Sequence, residues 1–220
     1  NYYKPNILNL EKNYLPDKIA VAGKSAYNFF KTQGIPNNRL IKVESLRYNW
    51  LESLPKIQKT HNNKVLILGD YDDQYNIKLL NIIERIKDNK NNKQKYDFYF
   101  KPHPASNINV VKNISKKYIE YKEIRNIYNK YSTVISSNST SAPLEFAKST
   151  TNIIIFLDKR KLNLSPFKKI ENVSYFYDLK SLKKILIKKN YKQINLKNYF
   201  YFDKNLKLWS KLKKKIKNKL

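Results

Sequence analysis

A histidine set between two prolines and a run of hydroxyl and amide side chains are the residues of this chain best suited to chemistry. The first lies in Lys101-Pro102-His103-Pro104 and the second is Ser136-Ser137-Asn138-Ser139-Thr140-Ser141. Proline on either side holds the histidine backbone extended and stiff. An imidazole so held can hydrogen-bond a phosphate oxygen or act as an acid toward a leaving group, and Lys101 would add positive charge. The plain alternative is a strand-end histidine closing a turn. The serine-rich run offers hydroxyls and backbone N–H groups just ahead of a helix-forming segment, where an anion is favoured. Ordinary N-capping would need only one of those residues.

Two further groups belong with these. Pro143 suits the first turn of that helix. Glu145 follows Ser141 by four residues, one too many for a capping box, and is placed to accept hydrogen bonds from ribose hydroxyls; the plain alternative is a solvated glutamate. Gly69-Asp70 follows an apolar run and gives a weaker signal. Neither GxGxxG nor GxxxxGK[ST] occurs, and Gly23-Lys24-Ser25 lacks the upstream glycine of a phosphate loop. Asp72-Asp73 reads as a solvated turn rather than a metal site. No metal or other cofactor is expected.

The elements that must position these residues follow from apolar periodicity. Val65–Leu68, Phe98–Phe100, Thr133–Ile135, Ile153–Leu157 and the Val-Ser-Tyr-Phe-Tyr run after Asn172 read as strands. Between or after them, helical spacing covers Ile77, Leu80, Ile83 (or Leu79) and Ile86, then Ile108–Tyr118, the face Ile124, Ile127, Tyr128 and Tyr131, Ala142–Lys148, and Leu179–Leu186. Tyr118–Tyr121 reads as a further short strand. Apolar runs without alternation, spaced by helices, indicate a parallel sheet covered on both faces. The fold class is therefore α/β, a Rossmann-like parallel sheet with helices on both faces. In such a sheet a ligand lies beyond the carboxyl ends of the strands. Gly69–Asp73, Lys101–Pro104 and Ser136–Ser141 are three such ends.

Upstream, Lys18–Gly23 and Leu40–Val43 read as strands, with a helix between them capped by Ser25 and ended by Gly34. The expected organisation is a piece of an N-terminal Rossmann-like domain over 1–48 and a linker over 49–63. A nucleotide-binding domain over 64–190 and a basic amphipathic helix in 191–220 complete it.

Composition narrows the function classes. The 220 residues suffice for a real core, and 41% are hydrophobic. With no cysteine, disulfides and thiolate chemistry are excluded, and two histidines argue against a histidine-rich metal centre. No run reaches the length of a membrane span and no signal-peptide pattern opens the sequence, so the expected location is cytoplasmic. The net charge of +28 invites a nucleic-acid reading. Against it, lysine rather than arginine carries the charge, is spread along the chain, and travels with Asn, Ile and Tyr, as an AT-rich gene would produce. An anionic membrane surface fits such charge at least as well.

Strand–Gly69-Asp70–helix, then KPHP, then a strand running into SSNSTSAPLEFA resembles the C-terminal domain of GT-B glycosyltransferases that use CMP-activated sugars. These are the bacterial sialyltransferase-like, polysialyltransferase and Kdo-transferase enzymes of capsule and lipopolysaccharide synthesis. The resemblance covers about residues 18 to 190. It implies that His103-Pro104 and Ser136-Ser137, with Ser139 to Ser141 close by, hold the CMP phosphate, and that Glu145 holds the ribose. The implied activity is inverting, metal-independent transfer of an acidic sugar from a CMP-sugar donor to a glycan or lipid-linked acceptor. The acceptor domain that such enzymes place first is represented only by residues 1–48, so the chain is expected to be the donor-binding half. The basic C-terminal helix would keep it at the inner membrane surface. The nearest alternative is a CDP-glycerol glycerophosphotransferase-like enzyme, whose aspartates near the serines are replaced by Ile135 and Glu145. The alternative from another class is a non-catalytic basic protein binding nucleic acid or membrane.

Overall fold

Short apolar runs with no room for alternation become strands that are buried on both sides, and helices or turns must return the chain to the same end each time. A computed structural model of the chain follows this rule. It describes residues 16–54, 62–87, 96–106, 114, 116–149, 151–165, 167, 172–188 and 194–218. The chain divides into two compact units, Asn1–Pro55 with Asn195–Leu220, and Lys56–Ile194.

In the first unit β1 (Ile19–Val21) pairs in parallel with β2 (Leu40–Lys42), joined through α1 (Lys24–Thr32). Val21, Ile35 and Leu40 form its small core, with Ile19, Tyr27 and Phe30 packed against them. The cap of α1 is Gly23, not Ser25 as the sequence suggests. A side chain is impossible there: a Cβ would lie 1.8 Å from the Tyr199 carbonyl oxygen and 2.9 Å from Phe200 Cα. Gly34, at φ 83, ends the helix in the left-handed region that glycine tolerates.

The C-terminal segment is part of this unit. Tyr201 donates its N–H to the Ala22 carbonyl (3.0 Å) and accepts from the Ser45 N–H (2.9 Å). Among the described residues of 191–220 the helix itself, α2, spans Lys207–Lys217, preceded by a 3-10 turn at Leu196–Asn198. Buried Glu44 caps it, accepting from the N–H groups of Leu208 (2.7 Å) and Trp209 (3.0 Å), while the Trp209 indole donates to the Glu44 carbonyl (2.9 Å). Of the stretch 49–63 expected as a linker, Asn49–Ser53 is a 3-10 turn with Leu51 fully buried, and 55–61 lies outside the described residues.

The second unit holds β3 (Lys64–Leu68), β4 (Asp97–Lys101), β5 (Thr133–Ser137), β6 (Asn152–Phe156) and β7 (Val173–Phe176). All pair in parallel in the order β4-β3-β5-β6-β7. This is an α/β, Rossmann-like sheet. Two helices, α3 (Asp73–Lys87) and α4 (Leu179–Lys188), share one apolar layer with the side chains of Val65, Ile67, Ile135 and Ile154. The inward stripe of α3 is Tyr75, Leu79, Ile83 and Ile86, whereas Ile77 is exposed. Leu66, Leu68, Val134, Ile153 and Ile155 point the other way and are equally buried. On that face Tyr131 packs edge-on against Tyr99.

Three expected elements differ. Ala142–Lys148 is a 3-10 helix over Ala142–Phe146, closed when Ser149 bonds the Phe146 carbonyl through both its N–H (3.0 Å) and its hydroxyl (2.6 Å). The face at 124–131 is a 3-10 turn, Ile124–Asn126, followed by further turns that bury Ile127 and Tyr131. Tyr118–Tyr121 contributes only a bridge from Ile119 to Phe100, next to a 3-10 turn at Lys116–Tyr118. The rest of the helix expected from Ile108 lies largely outside the described residues.

Candidate functional site

Strand order reverses between β3 and β5, because β4 is added on one side of β3 and the later strands on the other. A crevice opens beyond the carboxyl ends of the strands at such a point. Register places the candidate residues there together: Leu68 pairs with Lys101 on one side and with Ser136 on the other. The loops that begin at Gly69, Pro102 and Asn138 therefore leave the sheet at one level.

Asp70 is the centre of the arrangement. It is fully buried, and its carboxylate accepts the hydroxyls of Ser137 and Ser139 and the Asp72 N–H (3.0 Å). Ser137 reaches it because its side chain, like that of Ile135, faces the helical layer where α3 begins. Asn76, also fully buried, closes the loop from α3: its Oδ1 accepts the Asp70 N–H (2.7 Å) and its Nδ2 donates to the Asp70 carbonyl (2.9 Å). The hydroxyl protons of Ser137 and Ser139 are thus turned toward a carboxylate. Those two protons are therefore not offered to an incoming anion.

Gly69 brings the histidine loop into the same place. Its N–H donates to the Lys101 carbonyl (2.8 Å), and a Cβ there would lie 2.9 Å from the His103 nitrogen. His103 is half-buried, and its Nδ1 accepts the Ala105 N–H (3.1 Å). That assignment leaves the proton of the neutral ring on Nε2, as a donor. The Ser106 hydroxyl (2.8 Å) and N–H (3.0 Å) both bond the His103 carbonyl and fix the turn that contains exposed Pro104.

Other expected residues stand differently. The Lys101 ammonium donates to the Lys122 carbonyl (2.7 Å) and so is committed away from the serine loop. Burial pushes its pKa down, against the raising influence of Glu120, Glu123 and Glu145. Glu145 sits on the 3-10 helix and is half-buried. Ser136 is buried, and its hydroxyl donates to the Ser137 carbonyl (3.0 Å). The Thr140 hydroxyl accepts the Ala142 N–H (3.2 Å), and Ser141 makes no side-chain cap. Because the helix after Ser141 is one short 3-10 segment, its dipole adds little to anion binding.

Asn138 carries the site across to a strand end that the motifs did not mark. Its Oδ1 accepts the Tyr75 hydroxyl (3.3 Å) and its Nδ2 donates to the Leu162 carbonyl (2.9 Å) in the loop after β6. Asp158 pins the same loop by accepting Lys78 Nζ (2.7 Å) and the Arg160 N–H (3.0 Å). The Lys78 bond, then the Arg160 N–H, outweigh burial and hold the Asp158 carboxyl at about 2. Burial raises the Tyr75 phenol. Lys161 Nζ pairs with Asp72 Oδ2 (3.2 Å) and lies 4.4 Å from the Tyr75 ring centre. The apolar run of β6 ends in Asp158-Lys159-Arg160-Lys161, so the strand-end rule applied to a fourth strand would have found this loop. Tyr75 and Asn76 had no such signal.

Among the described residues no cluster of three or more His, Cys, Asp or Glu could hold a metal ion, and no helix is long and apolar enough to cross a membrane. No protein-family model, no curated protein and no solved structure matches this chain.

Proposed function

We propose that the Lys56–Ile194 unit binds the nucleotide of an activated sugar beyond β3, β4 and β5. We further propose that the chain is the donor-binding half of a glycosyltransferase using a CMP-activated acidic sugar of sialic acid or Kdo type. The observation that carries this reading is the single level at which three strand-end loops converge, held by the Asp70–Ser137–Ser139 bonds and by the Gly69–His103 approach. A preformed loop and a Nε2 donor are suited to a phosphate that gains charge as its ester bond breaks. In that step the acceptor hydroxyl attacks the anomeric carbon and passes its proton to a general base of the acceptor-binding half, while the bonding pair of the sugar–phosphate bond leaves with CMP. His103 hydrogen-bonds the departing phosphate. Asp70 does not touch the ligand; it holds the serine loop in place. Glu145 is assigned to the ribose on the strength of the family resemblance.

The same reading places the protein at an anionic membrane surface, where lipid-linked acceptors lie. Lys207, Lys211, Lys213, Lys214, Lys215 and Lys217 of α2 are all exposed and the helix has no acidic residue. Its apolar side chains Leu208, Trp209 and Leu212 are half-buried, so headgroup attraction rather than insertion would hold it there. Cosedimentation with phosphatidylserine vesicles that falls with salt tests this, and equal sedimentation with neutral vesicles contradicts it.

Calorimetry with CMP and CDP tests the main reading. Binding of either, abolished in His103→Ala, is expected. No binding of either nucleotide, or binding unchanged in that variant, refutes it.

A further inference from the structure

The site needs a cation, and the lysine nearest the histidine in sequence does not provide it. Lys101 is committed to the Lys122 carbonyl. The hydroxyls of Ser137 and Ser139 are turned toward Asp70 and add no positive field. A phosphate placed above a buried carboxylate therefore has to be neutralised from elsewhere in the crevice.

The loop after β6 carries three cations in a row, and the structure separates their roles. Lys159 lies 5.7 Å from the exposed Tyr177 ring, at the β7 side. The Arg160 head stays beside Asp158 of its own loop (3.5 Å) and its side chain is 80% exposed. Lys161 alone of the three reaches across to the loop after β3, where it pairs with Asp72. It also lies over Tyr75, whose hydroxyl bonds Asn138 in the serine loop. Lys78, a further cation near this loop, is engaged by Asp158.

We propose that Lys161 is the phosphate-neutralising residue of this crevice, and that Asp72 is the counter-ion that holds it in the unliganded protein and releases it to the anion. The pair suits such an exchange. Both members are partly exposed, with Lys161 at 40% and Asp72 at 28% of side-chain surface. An exposed pair of this kind adds little stability, so giving it up costs at most roughly five-fold in affinity. The backbone on each side is meanwhile fixed. Asp72 donates its N–H to Asp70 (3.0 Å), and the Lys161 loop is held by the Asp158–Lys78 and Leu162–Asn138 bonds. Only the lysine side chain has to move.

This inference rests on the nucleotide reading above and deepens it by naming the group that meets the phosphate. Calorimetry on the full chain with CMP, cytidine and inorganic pyrophosphate separates the two. Lys161→Met is expected to weaken CMP by roughly ten-fold or more, the scale of a lost charge-assisted contact, while cytidine, which has no phosphate, changes by less than about two-fold. Lys161→Arg should restore most of the CMP affinity. Asp72→Asn, which removes the competitor, should tighten CMP by up to roughly five-fold. CMP binding unchanged in Lys161→Met overturns the assignment of Lys161 and leaves the nucleotide site standing. Equal weakening of CMP and cytidine by Lys161→Met, or weakening by Asp72→Asn, makes the pair a structural latch and also overturns it. Wild-type protein that binds neither CMP nor pyrophosphate overturns both.

Discussion

Replacing Asp70 by alanine removes the acceptor on which the serine loop depends. Three donors lose this acceptor: the hydroxyls of Ser137 and Ser139, which keep only their contact with each other (2.9 Å), and the N–H of Asp72. A hydrogen bond to a charged group contributes about 1.5–3 kcal/mol, and a buried donor left unpaired loses the full amount. Only Ser137 is fully buried; Ser139 and Asp72 are half-buried and can turn to water. Counting Ser137 in full and the other two at a fraction gives a destabilisation of about 3–4 kcal/mol for Asp70→Ala. Ser137→Ala leaves the carboxylate with two donors and should cost about 1–2 kcal/mol. The double variant should then be less damaging than the sum, with a coupling of about 1–2 kcal/mol. Urea denaturation followed by circular dichroism gives all three values, provided the slope with denaturant stays constant. Losses that add to within about 0.5 kcal/mol would mean that Asp70 and Ser137 do not act as a pair, and the reasoning fails.

Three further outcomes follow from the same geometry. Gly69→Ala forces a Cβ to within 2.9 Å of the His103 nitrogen, 3.0 Å of Phe100 Cζ and 3.1 Å of the Lys101 carbonyl oxygen. Two of those atoms are backbone, so a loss of about 1–3 kcal/mol by thermal or urea unfolding is expected; unchanged stability would show that the two loops are not packed so closely. The Asp158 carboxyl, held at about 2 against an ordinary value of 3.8, contributes stability that is complete above the ordinary value and is lost as pH falls through about 2. Acid titration of wild type against Lys78→Met should show that difference shrinking toward pH 2, and a constant difference across that window would contradict the ion pair. Glu44→Ala strips the cap from α2 and should cost about 1–2 kcal/mol and alter the near-ultraviolet signal of Trp209, whereas an unchanged Trp209 signal would contradict the capping geometry.

The inner strands β3, β5 and β6 were legible because each is buried on both faces, whereas the edge strands β4 and β7 are only partly buried and carry shorter apolar runs. Continuous runs such as Val65-Leu-Ile-Leu68 and Ile153-Ile-Ile-Phe156 have no other explanation in a chain so rich in lysine. Their polar ends were legible for the same reason, and Gly69, Asp70, His103, Ser137 and Asn138 do lie at one edge. Lys101 is close to His103 in sequence but ends a pleated strand. Phe98 and Phe100 face the helical layer, so Lys101 faces the opposite side with Tyr99, toward Glu120 and Lys122. The segments at 124–131 and 142–148 had helical spacing, yet each keeps only one short 3-10 stretch before tight turns, the second closed by the Ser149 hydroxyl. The partners that organise the site were not legible. Asp70 meets Ser137 across 67 residues and Lys161 meets Asp72 across 89, and neither pairing has a local pattern. The return of residues 199–209 to Ala22 and Glu44 is equally non-local, and Gly23 was its one trace, explicable only once Tyr199 is seen beside it.

The central claim is that a nucleotide binds where strand order reverses. Amide chemical-shift mapping of the isotope-labelled chain with CMP tests it most directly. The expected perturbations fall on Gly69–Asp73, His103–Ser106, Ser137–Ser141 and Asp158–Leu162, all at or beyond the carboxyl ends of β3, β4, β5 and β6. Perturbations confined to the opposite edge, at Lys64, Asp97, Thr133 and Asn152, or no perturbation at saturating CMP, would contradict it.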